Sequence, residues 1–219
     1  MNNNNSRLIN RRFLLAGLAG ASCVSAFYSK GIAADGLVKN LLQKNGLEGW
    51  ALTDFHKPGE ISVKSGILRI ERGHPMTGVT CKIPNLPKTN YELKYQARRV
   101  DGDDFFAAAT FPVNDSFLTF VNGGWSGNIT GLSSIDGSDA SENETGKQVR
   151  FENEKWYSFK IRVQGTKIVC QVDSEKVVDF DGAGRSLRTR VESRPSQPLG
   201  FACYDTIGEI REIQIVPLG

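Results

Sequence analysis

Residues that favour turns interrupt this chain of 219 residues at short intervals from residue 50 onward. Pro58-Gly59, Ser65-Gly66 and Gly165-Thr166 are examples, and the runs between them are short and rich in Val, Ile, Phe and Tyr. Gly and Pro break regular structure, whereas β-branched and aromatic residues favour strands. Helices of ordinary length do not fit between turns so close together, so the spacing predicts about a dozen short β-strands.

The pattern of apolar residues refines this prediction. In Tyr91–Arg99 apolar and polar residues alternate, which is typical of a strand with one buried face. Phe105–Phe111 is apolar on both faces and predicts a central strand. One helix is predicted, over Gly36–Asn45, with Asp35 as its cap and Asn45-Gly46 as its stop. The predicted fold class is all-β: an antiparallel two-sheet sandwich with at most one short N-terminal helix, with a closed barrel as the alternative.

The first 34 residues resemble an export signal and are set apart from the fold. Arg11-Arg12 is a twin-arginine pair, and the run Phe13–Phe27 that follows it is only mildly apolar. This run is shorter than the roughly 20 residues of a membrane-spanning helix, and Lys30 and Ala33-Ala34 follow it, as in a cleavage region. The pattern predicts a bacterial Tat-type signal over residues 1–34, with an ordinary secretory signal or an uncleaved anchor as the alternative.

Removal of this segment changes the charge of the chain. The whole sequence has 27 basic and 24 acidic residues; residues 1–34 hold four of the basic ones and none of the acidic ones, so 23 and 24 remain, a net charge of about −1. A protein this close to neutrality gives no electrostatic reason to expect nucleic acid or an anionic membrane surface as a partner. We expect residues 35–219 to form a single domain without a membrane span, in the periplasm or outside the cell.

Three cysteines lie beyond the signal, Cys81, Cys170 and Cys203, so a disulfide between two of them would leave one thiol over. Each lies within an apolar run, where cysteine usually behaves as a small buried hydrophobe. The sequence contains no Cys-x-x-Cys pair and no cluster of His with Cys, so it does not predict a zinc site.

Most residues that suggest chemistry lie between Asp101 and Gly146. Asp103 and Asp104 precede the run Phe105–Phe111, at the end of a predicted sheet, and are candidate catalytic carboxylates. The alternative for both is an acidic turn. Because neighbouring residues of an extended chain point to opposite faces, we expect only one of the two to enter a given site.

Further along, four carboxylates fall within nine residues, at Asp136, Asp139, Glu142 and Glu144. Such oxygen ligands suit Ca²⁺ or another divalent cation, so Asp136, Asp139 and Glu144 are candidate metal ligands. Glu142 is a third candidate catalytic carboxylate. No Lys or Arg occurs from residue 122 to 146, and a bound cation or a nearby arginine would relieve the repulsion. A solvated loop without a ligand is the alternative.

Trp125 stands among glycines in Gly123-Gly124-Trp125-Ser126-Gly127, which leaves a large ring with little cover. Sugars stack their apolar faces on such rings, and the indole N–H adds a donor, so Trp125 is a candidate substrate-binding residue. Asn122 in the same stretch, Arg98 at the end of a strand and His74 in a Gly-His-Pro turn complete the candidate binding set. For each of these three, a structural or solvent-exposed role is the alternative.

The longest break between predicted strands, residues 182–198, contains Arg185, Arg188, Arg190 and Arg194. Clusters of turn-forming residues between strands usually form solvated surface loops, and we interpret this segment as one. A basic rim to a binding groove is the alternative.

Several short motifs follow one another along the chain: Leu47-Glu48-Gly49-Trp50, Asn90-Tyr91-Glu92-Leu93, Gly102-Asp103-Asp104-Phe105-Phe106, Asn122-Gly123-Gly124-Trp125 and Gly131-Leu132-Ser133-Ser134-Ile135-Asp136-Gly137. In this order they resemble the 3-keto-disaccharide hydrolase family, and the resemblance covers most of residues 47–217. It implies a concanavalin-like jelly roll, a secreted bacterial protein and a carbohydrate partner, either a glycoside or a 3-keto-disaccharide. It supplies no catalytic set that transfers residue by residue.

The resemblance leads to a first hypothesis, an exported hydrolase or lyase that cleaves glycosides, 3-keto-glycosides among them, by base-assisted elimination and hydration. This chemistry needs one base and a group that stabilises an enolate, rather than two carboxylates at a fixed separation. The alternatives are a non-catalytic, lectin-like carbohydrate-binding module and a structural domain of the cell envelope. For an enzyme we expect one cleft that holds Trp125 with at least two of Asp103, Asp104, Asp136, Asp139 and Glu142.

Overall fold

The computed structural model describes residues 39–219. Within them the chain forms fourteen strands: β1 (Lys39–Asn40), β2 (Trp50–Leu52), β3 (Ile61–Lys64), β4 (Ile67–Ile70), β5 (Met76–Cys81), β6 (Tyr91–Asp101), β7 (Ala108–Val113), β8 (Ser116–Gly123), β9 (Ile129–Ser133), β10 (Tyr157–Gln164), β11 (Lys167–Val172), β12 (Glu175–Asp181), β13 (Gly200–Tyr204) and β14 (Ile207–Pro217). A four-residue turn, Gly124–Gly127, and a 3₁₀ helix, Arg194–Ser196, are the helical elements assigned there.

The strands form two antiparallel sheets. Sheet A has eight strands in the order β12-β11-β10-β6-β14-β4-β3, with β1 paired to β14. Sheet B has six strands in the order β2-β5-β13-β7-β8-β9. The two sheets confirm the predicted all-β sandwich, and the three runs of the 101–146 stretch are the neighbouring strands β7, β8 and β9.

Alternation along the strands builds the core between the sheets. The apolar residues of β6, namely Tyr91, Leu93, Tyr95 and Ala97, are all buried, as the sequence predicts. Tyr95 stacks on Phe159 of β10 and packs edge-on against Phe201 of sheet B, with ring centroids 4.9 Å apart in both pairs. Each buried aromatic ring of this kind stabilises the fold by about 1.5–3 kcal/mol. Rings from both sheets therefore hold the sandwich together.

The predicted helix over Gly36–Asn45 is wrong in the part that the structure describes; residues 36–38 lie outside the described range. Lys39–Asn40 forms β1 and pairs with Ile215 and Gln214 of β14, and residues 41–45 contain no helix. The apolar spacing of this segment matches a helix, but Leu41 is buried in the core of the sandwich instead. Strand pairing with β14 has overridden the local helical pattern.

The central strand predicted over Phe105–Phe111 is the fourth of the six strands of sheet B, but it begins only at Ala108. Residues 105–107 therefore precede the strand and are available to a site at the end of the sheet. Cys81, Cys170 and Cys203 are buried, as expected from their apolar surroundings. Within residues 39–219 no helix is long and apolar enough to span a membrane. The Tat-type signal predicted over residues 1–34, and the domain boundary after it, lie outside the described residues.

Candidate functional site

A cavity of about 630 Å³ lies on the outer face of sheet B. Its floor comes from the side chains of Ala108, Thr110, Thr119, Val121, Ser133 and Ala202. The residues that alternate with them, such as Ala109, Phe120 and Phe201, point into the core on the other side of the sheet. The period of two in a strand thus gives sheet B one face for the core and one for the cavity.

One part of the floor is a row of hydroxyl groups, which we call the hydroxyl row: Thr110, Thr119 and Ser133, side by side on β7, β8 and β9. The hydroxyl oxygens of Thr110 and Thr119 are 2.9 Å apart. Because only one proton can lie between two oxygens, the second proton of this pair has no acceptor among the residues described. The Ser133 hydroxyl oxygen accepts the Ala140 N–H at 2.9 Å and keeps its own proton. The row thus offers hydrogen-bond donors to a ligand.

Residues 188–195, which we call the strap, cross sheet B above the hydroxyl row. On the β9 side, the backbone of Arg188 exchanges hydrogen bonds with that of Ser134, at 2.6 and 3.2 Å. On the β5 side, the Thr80 hydroxyl donates to the Pro195 carbonyl at 2.9 Å. Between these anchors the strap brings Arg190, Val191 and Glu192 to the cavity. The loop thus forms a wall of the cavity, which corresponds to the rim alternative for residues 182–198.

The other part of the cavity is apolar. Phe55, Met76 and Ala202 form a cluster of buried apolar residues apart from the main core, and Phe105 packs against it. The ring of Tyr204 lies 5.6 Å from the ring of Phe105, at an angle of 49°. We call these five residues the apolar end; all of them line the cavity.

Trp125 lines the cavity from a strained turn. Trp125 and Ser126 both have left-handed backbone conformations, with φ of 51° and 54°, which cost about 1–3 kcal/mol each in residues other than Gly. Hydrogen bonds hold the turn: the Ser126 N–H donates to Asp104 Oδ2 at 2.8 Å, and Asn128 Nδ2 donates to the Trp125 carbonyl at 3.0 Å. Strain that is maintained beside a cavity marks Trp125 as a candidate ligand contact.

Asp104 also lines the cavity, and its carboxylate is held by backbone groups on both sides. Oδ1 accepts the Phe105 N–H and Oδ2 accepts the Ser126 N–H, each at 2.8 Å. Behind it, the buried guanidinium of Arg99 donates to the carbonyls of Asp104 and Phe151, at 3.3 and 2.5 Å. Burial lowers the pKa of Arg99 from its ordinary value. Arg99 thus fixes the loop that carries Asp104.

The structure separates the predicted catalytic carboxylates. Asp103 is exposed and does not line the cavity, so of the neighbouring pair only Asp104 does. Glu142 lies exposed in the loop after β9, away from the cavity lining. Of the five carboxylates expected beside Trp125, Asp104 alone lies with it, so the expected pair of carboxylates from that set is not present.

Three predicted binding residues lie outside the cavity lining. Asn122 is fully buried, and its amide bonds both backbone groups of Ala107, at 3.0 and 3.3 Å, so it is structural. Arg98 lies on the outer face of sheet A, where it pairs with Glu154 and Glu209, at 2.9 and 2.7 Å. His74 is exposed and lies outside the cavity lining, although the next residue, Pro75, belongs to it.

Arginine neutralises the acidic loop. Arg185 pairs with Asp136 and Glu144, at 2.5 and 2.6 Å, and Arg190 pairs with Asp139 at 2.9 Å. The backbone N–H of Ser186 and the Arg185 guanidinium lower the pKa of Asp136, and Arg185 lowers that of Glu144. Within residues 39–219 no group of three His, Cys, Asp or Glu side chains is arranged to hold a metal ion. Of the two ways to relieve the repulsion, the structure contains the nearby arginine.

Several cavity residues are absent from the sequence-based candidates: Asp54, His56, Glu192 and Tyr204. Asp54 and His56 flank Phe55, whose ring is buried, so both polar neighbours face outward at the rim. The carboxylate of Glu192 accepts its own backbone N–H and lies 3.4 Å from Arg190, and both contacts lower its pKa. The triplet Asp54-Phe55-His56, polar-aromatic-polar and just after β2, is the one local sequence signal for the part of the rim that it forms.

Comparison with known proteins places the chain in a family. The model of the 3-keto-alpha-glucoside-1,2-lyase-like domain matches residues 39–216. The chain belongs to this family. Membership confirms the resemblance seen in the short motifs, and it makes a carbohydrate-acting hydrolase or a carbohydrate-binding module the functional class of the domain. No curated protein matches the chain in a sequence comparison.

Several solved structures share the fold of this chain at low sequence identity. The Crh5 transglycosylase has a TM-score of 0.55 and 10% identity, over 86% of this chain and 86% of its own. The carbohydrate-binding module CBM66 from Bacillus subtilis has a TM-score of 0.50 and 12% identity, over 77% and 95%. Domain 4 of AbnA, a GH43 extracellular arabinanase from Geobacillus stearothermophilus, solved in complex with arabinotriose, has a TM-score of 0.53 and 11% identity, over 82% and 93%. These likenesses show the fold alone.

Proposed function

We propose that this protein is an exported glycoside-acting enzyme that cleaves 3-keto-glycosides by elimination followed by hydration. One observation carries the proposal: a single cavity brings together a half-exposed Trp125, a row of hydroxyl donors, an oriented carboxylate and a guanidinium. A sugar ring can stack on Trp125 and donate to or accept from the hydroxyl row, while the charged groups reach its edge. Family membership supports the same substrate class.

The chemistry follows from the ketone. A carbonyl at C3 acidifies the proton on C2; a base removes this proton, a C1–C2 double bond forms and the bond from C1 to the leaving oxygen breaks. The leaving oxygen takes up a proton, and water then adds across the double bond, which gives net hydrolysis. We assign the base to Asp104, because two backbone N–H groups orient its carboxylate at the cavity. Arg190 and the hydroxyl row are the candidates to stabilise the developing negative charge on the C3 oxygen.

Turnover tests this assignment directly. The purified protein is incubated with 3-keto-glucosides and with unmodified disaccharides, each with and without EDTA, and free sugar is measured. We expect cleavage of the 3-keto substrates only, and the same rate with EDTA, because arginines already neutralise the acidic loop. A protein that turns over no 3-keto-glycoside contradicts the proposal.

Paired variants test the base. Asp104→Asn keeps the shape of the side chain but removes its ability to accept a proton, so kcat is expected to fall about 100-fold or more. Asp103→Asn is the matched control, since this neighbouring carboxylate is exposed and outside the cavity; its kcat is expected to change less than about twofold. Equal effects of the two substitutions on kcat would overturn the assignment. A lower Tm in Asp104→Asn alone would show that Asp104 has a structural role.

The second candidate function is a non-catalytic carbohydrate-binding module. A specific observation favours it: both oxygens of the Asp104 carboxylate already accept backbone N–H groups, which is what a purely structural aspartate does. Micromolar binding of a 3-keto-glucoside without turnover, measured by calorimetry, would select this function over the enzyme.

A further inference from the structure

The cavity has two chemically different parts. The hydroxyl row and the strap supply donors and charges, whereas the apolar end brings together Phe55, Met76, Phe105, Ala202 and Tyr204. Phe55, Met76 and Ala202 form their own buried cluster, separate from the core between the sheets. Small apolar clusters also occur under loops, but this one lines a cavity, where apolar side chains are placed to meet a ligand.

The floor of the apolar end is made of small residues. Ala202 of β13 is in register with Ala108 of β7, and both side chains line the cavity. The rings of Phe105 and Tyr204 pack against each other beside this floor, with centroids 5.6 Å apart and planes tilted by 49°. Small floor residues beside this pair of rings leave a recess in which a flat group can lie against an aromatic wall and an apolar floor.

A second sugar ring does not suit this recess. The edges of a sugar carry hydroxyl groups, and these lose their hydrogen bonds to water when they are buried against Phe, Met and Ala side chains. A flat apolar group has no such loss and gains from burial of its surface. The cavity volume of about 630 Å³ falls within the range of about 300–1,000 Å³ that accommodates ligands larger than one sugar ring.

We propose that the apolar end binds the aglycone, so that the substrates are glycosides in which a sugar is joined to a flat, apolar and preferably aromatic group. This inference rests on the proposed function, because it assigns the sugar to the hydroxyl row and the leaving group to the apolar end of the same cavity. The elimination is unchanged: the C1–O bond breaks and the aromatic alcohol leaves with its oxygen protonated.

The test compares the 3-keto forms of benzyl glucoside and methyl glucoside, in both anomers. Benzyl alcohol and methanol have similar leaving abilities, so the comparison isolates the contribution of the ring. We expect kcat/KM for the benzyl substrate to exceed that for the methyl substrate at least about tenfold, since even partial burial of an aromatic ring gives such a factor. Tyr204→Ala removes an accessible wall of the recess and is expected to lower the ratio of the benzyl to the methyl kcat/KM several-fold.

Two further variants complete the design. Ala202→Leu fills the recess and is expected to abolish the preference for the benzyl substrate. Leu52→Ala is the matched control, because Leu52 is also an exposed apolar residue of sheet B but does not line the cavity; it is expected to keep the ratio of the unmodified protein.

The outcomes separate this inference from the proposed function. Equal turnover of the benzyl and methyl substrates overturns the aglycone site and leaves the proposed function standing. A benzyl preference that survives both Tyr204→Ala and Ala202→Leu also overturns it, because the ring then binds elsewhere. If neither substrate is cleaved, the proposed function fails and the aglycone site fails with it.

Discussion

Backbone strain at a single residue gives the clearest prediction about ligand binding. Trp125 is held in a left-handed conformation beside the cavity. Trp125→Ala is expected to weaken binding of a 3-keto-glucoside about tenfold, because a stacked ring contributes on the order of 1 kcal/mol or more. Stability should change little, since the ring is half-exposed and its loss removes no contact of the core. Calorimetric titration measures the affinity, and thermal melting measures the stability.

Trp156→Ala is the matched control for this substitution. Trp156 is also half-exposed, but it lies on sheet A between Arg98 and Arg211, whose guanidinium carbons are 5.0 and 4.1 Å from the ring centroid. Its loss is expected to leave sugar affinity unchanged. Equal weakening by both substitutions would contradict a specific role for Trp125.

Asn122 illustrates the opposite case, a polar residue whose role is structural. Its amide is fully buried and satisfies both the N–H and the carbonyl of Ala107. Asn122→Ala leaves the Ala107 N–H without its partner and leaves the carbonyl with only a long bond, 3.5 Å, from the Tyr95 hydroxyl. It is expected to lower the free energy of unfolding by about 2 kcal/mol. Urea denaturation gives this value. The affinity of the folded fraction for sugar should stay the same; a stable variant that no longer binds sugar would restore Asn122 to the binding set.

At the level of elements, the loop after β9 and the connection before the strap depend on each other through charge. Asp136 and Glu144 have pKa values below their ordinary values of 3.8 and 4.5. A carboxyl group of this kind binds fewer protons in the folded state, so it stabilises the fold fully above its ordinary pKa. This stabilisation is lost as pH falls through the lowered values. Arg185→Gln is therefore expected to destabilise the protein slightly above pH 5 and to have little effect well below pH 4.

Urea denaturation at several pH values between about 2.5 and 7 checks this dependence. Arg194→Gln is the control, because Arg194 also lies between β12 and β13 and forms no ion pair among the described residues. A stability difference for Arg185→Gln that stays constant with pH would show that the two carboxylates do not titrate against this arginine. Added salt should reduce the difference at neutral pH, since all three groups are exposed.

Elements were largely predictable, and the site only in part. Turn residues and alternation locate strands such as β6, because each strand needs only its own residues to reveal one buried face. The strand at Lys39–Asn40 could not be predicted in this way, because its pairing partner, β14, lies far along the chain. Asp104 and Trp125 lie in the same stretch of sequence, so a local pattern identifies both as candidate site residues. Arg190 and His56 join them only through the strand order of sheet B, which no local pattern contains.

The whole molecule is closed by its last strand. β14 pairs with β1, β4 and β6, so sheet A is complete only when the C-terminal residues are in place. Likewise β13 lies between β5 and β7, which lie much earlier in the chain. Sheets built from such distant segments fold slowly and expose unpaired edges until they close. A route that exports the protein after folding would avoid this exposure outside the cytoplasm.

This topology is the physical reason to test the twin-arginine pair. We propose that Arg11-Arg12 directs the folded protein through the Tat route, and we expect the double substitution Arg11→Lys, Arg12→Lys to retain the chain in the cytoplasm. Cell fractionation of a bacterium with a Tat translocase, followed by mass spectrometry, measures both location and cleavage. The unmodified chain should appear in the periplasm or medium, shortened after Ala33 or Ala34, whereas the variant should keep its full mass. Unimpaired export of the variant would favour an ordinary secretory signal, in which case the sandwich must complete β14 after transport.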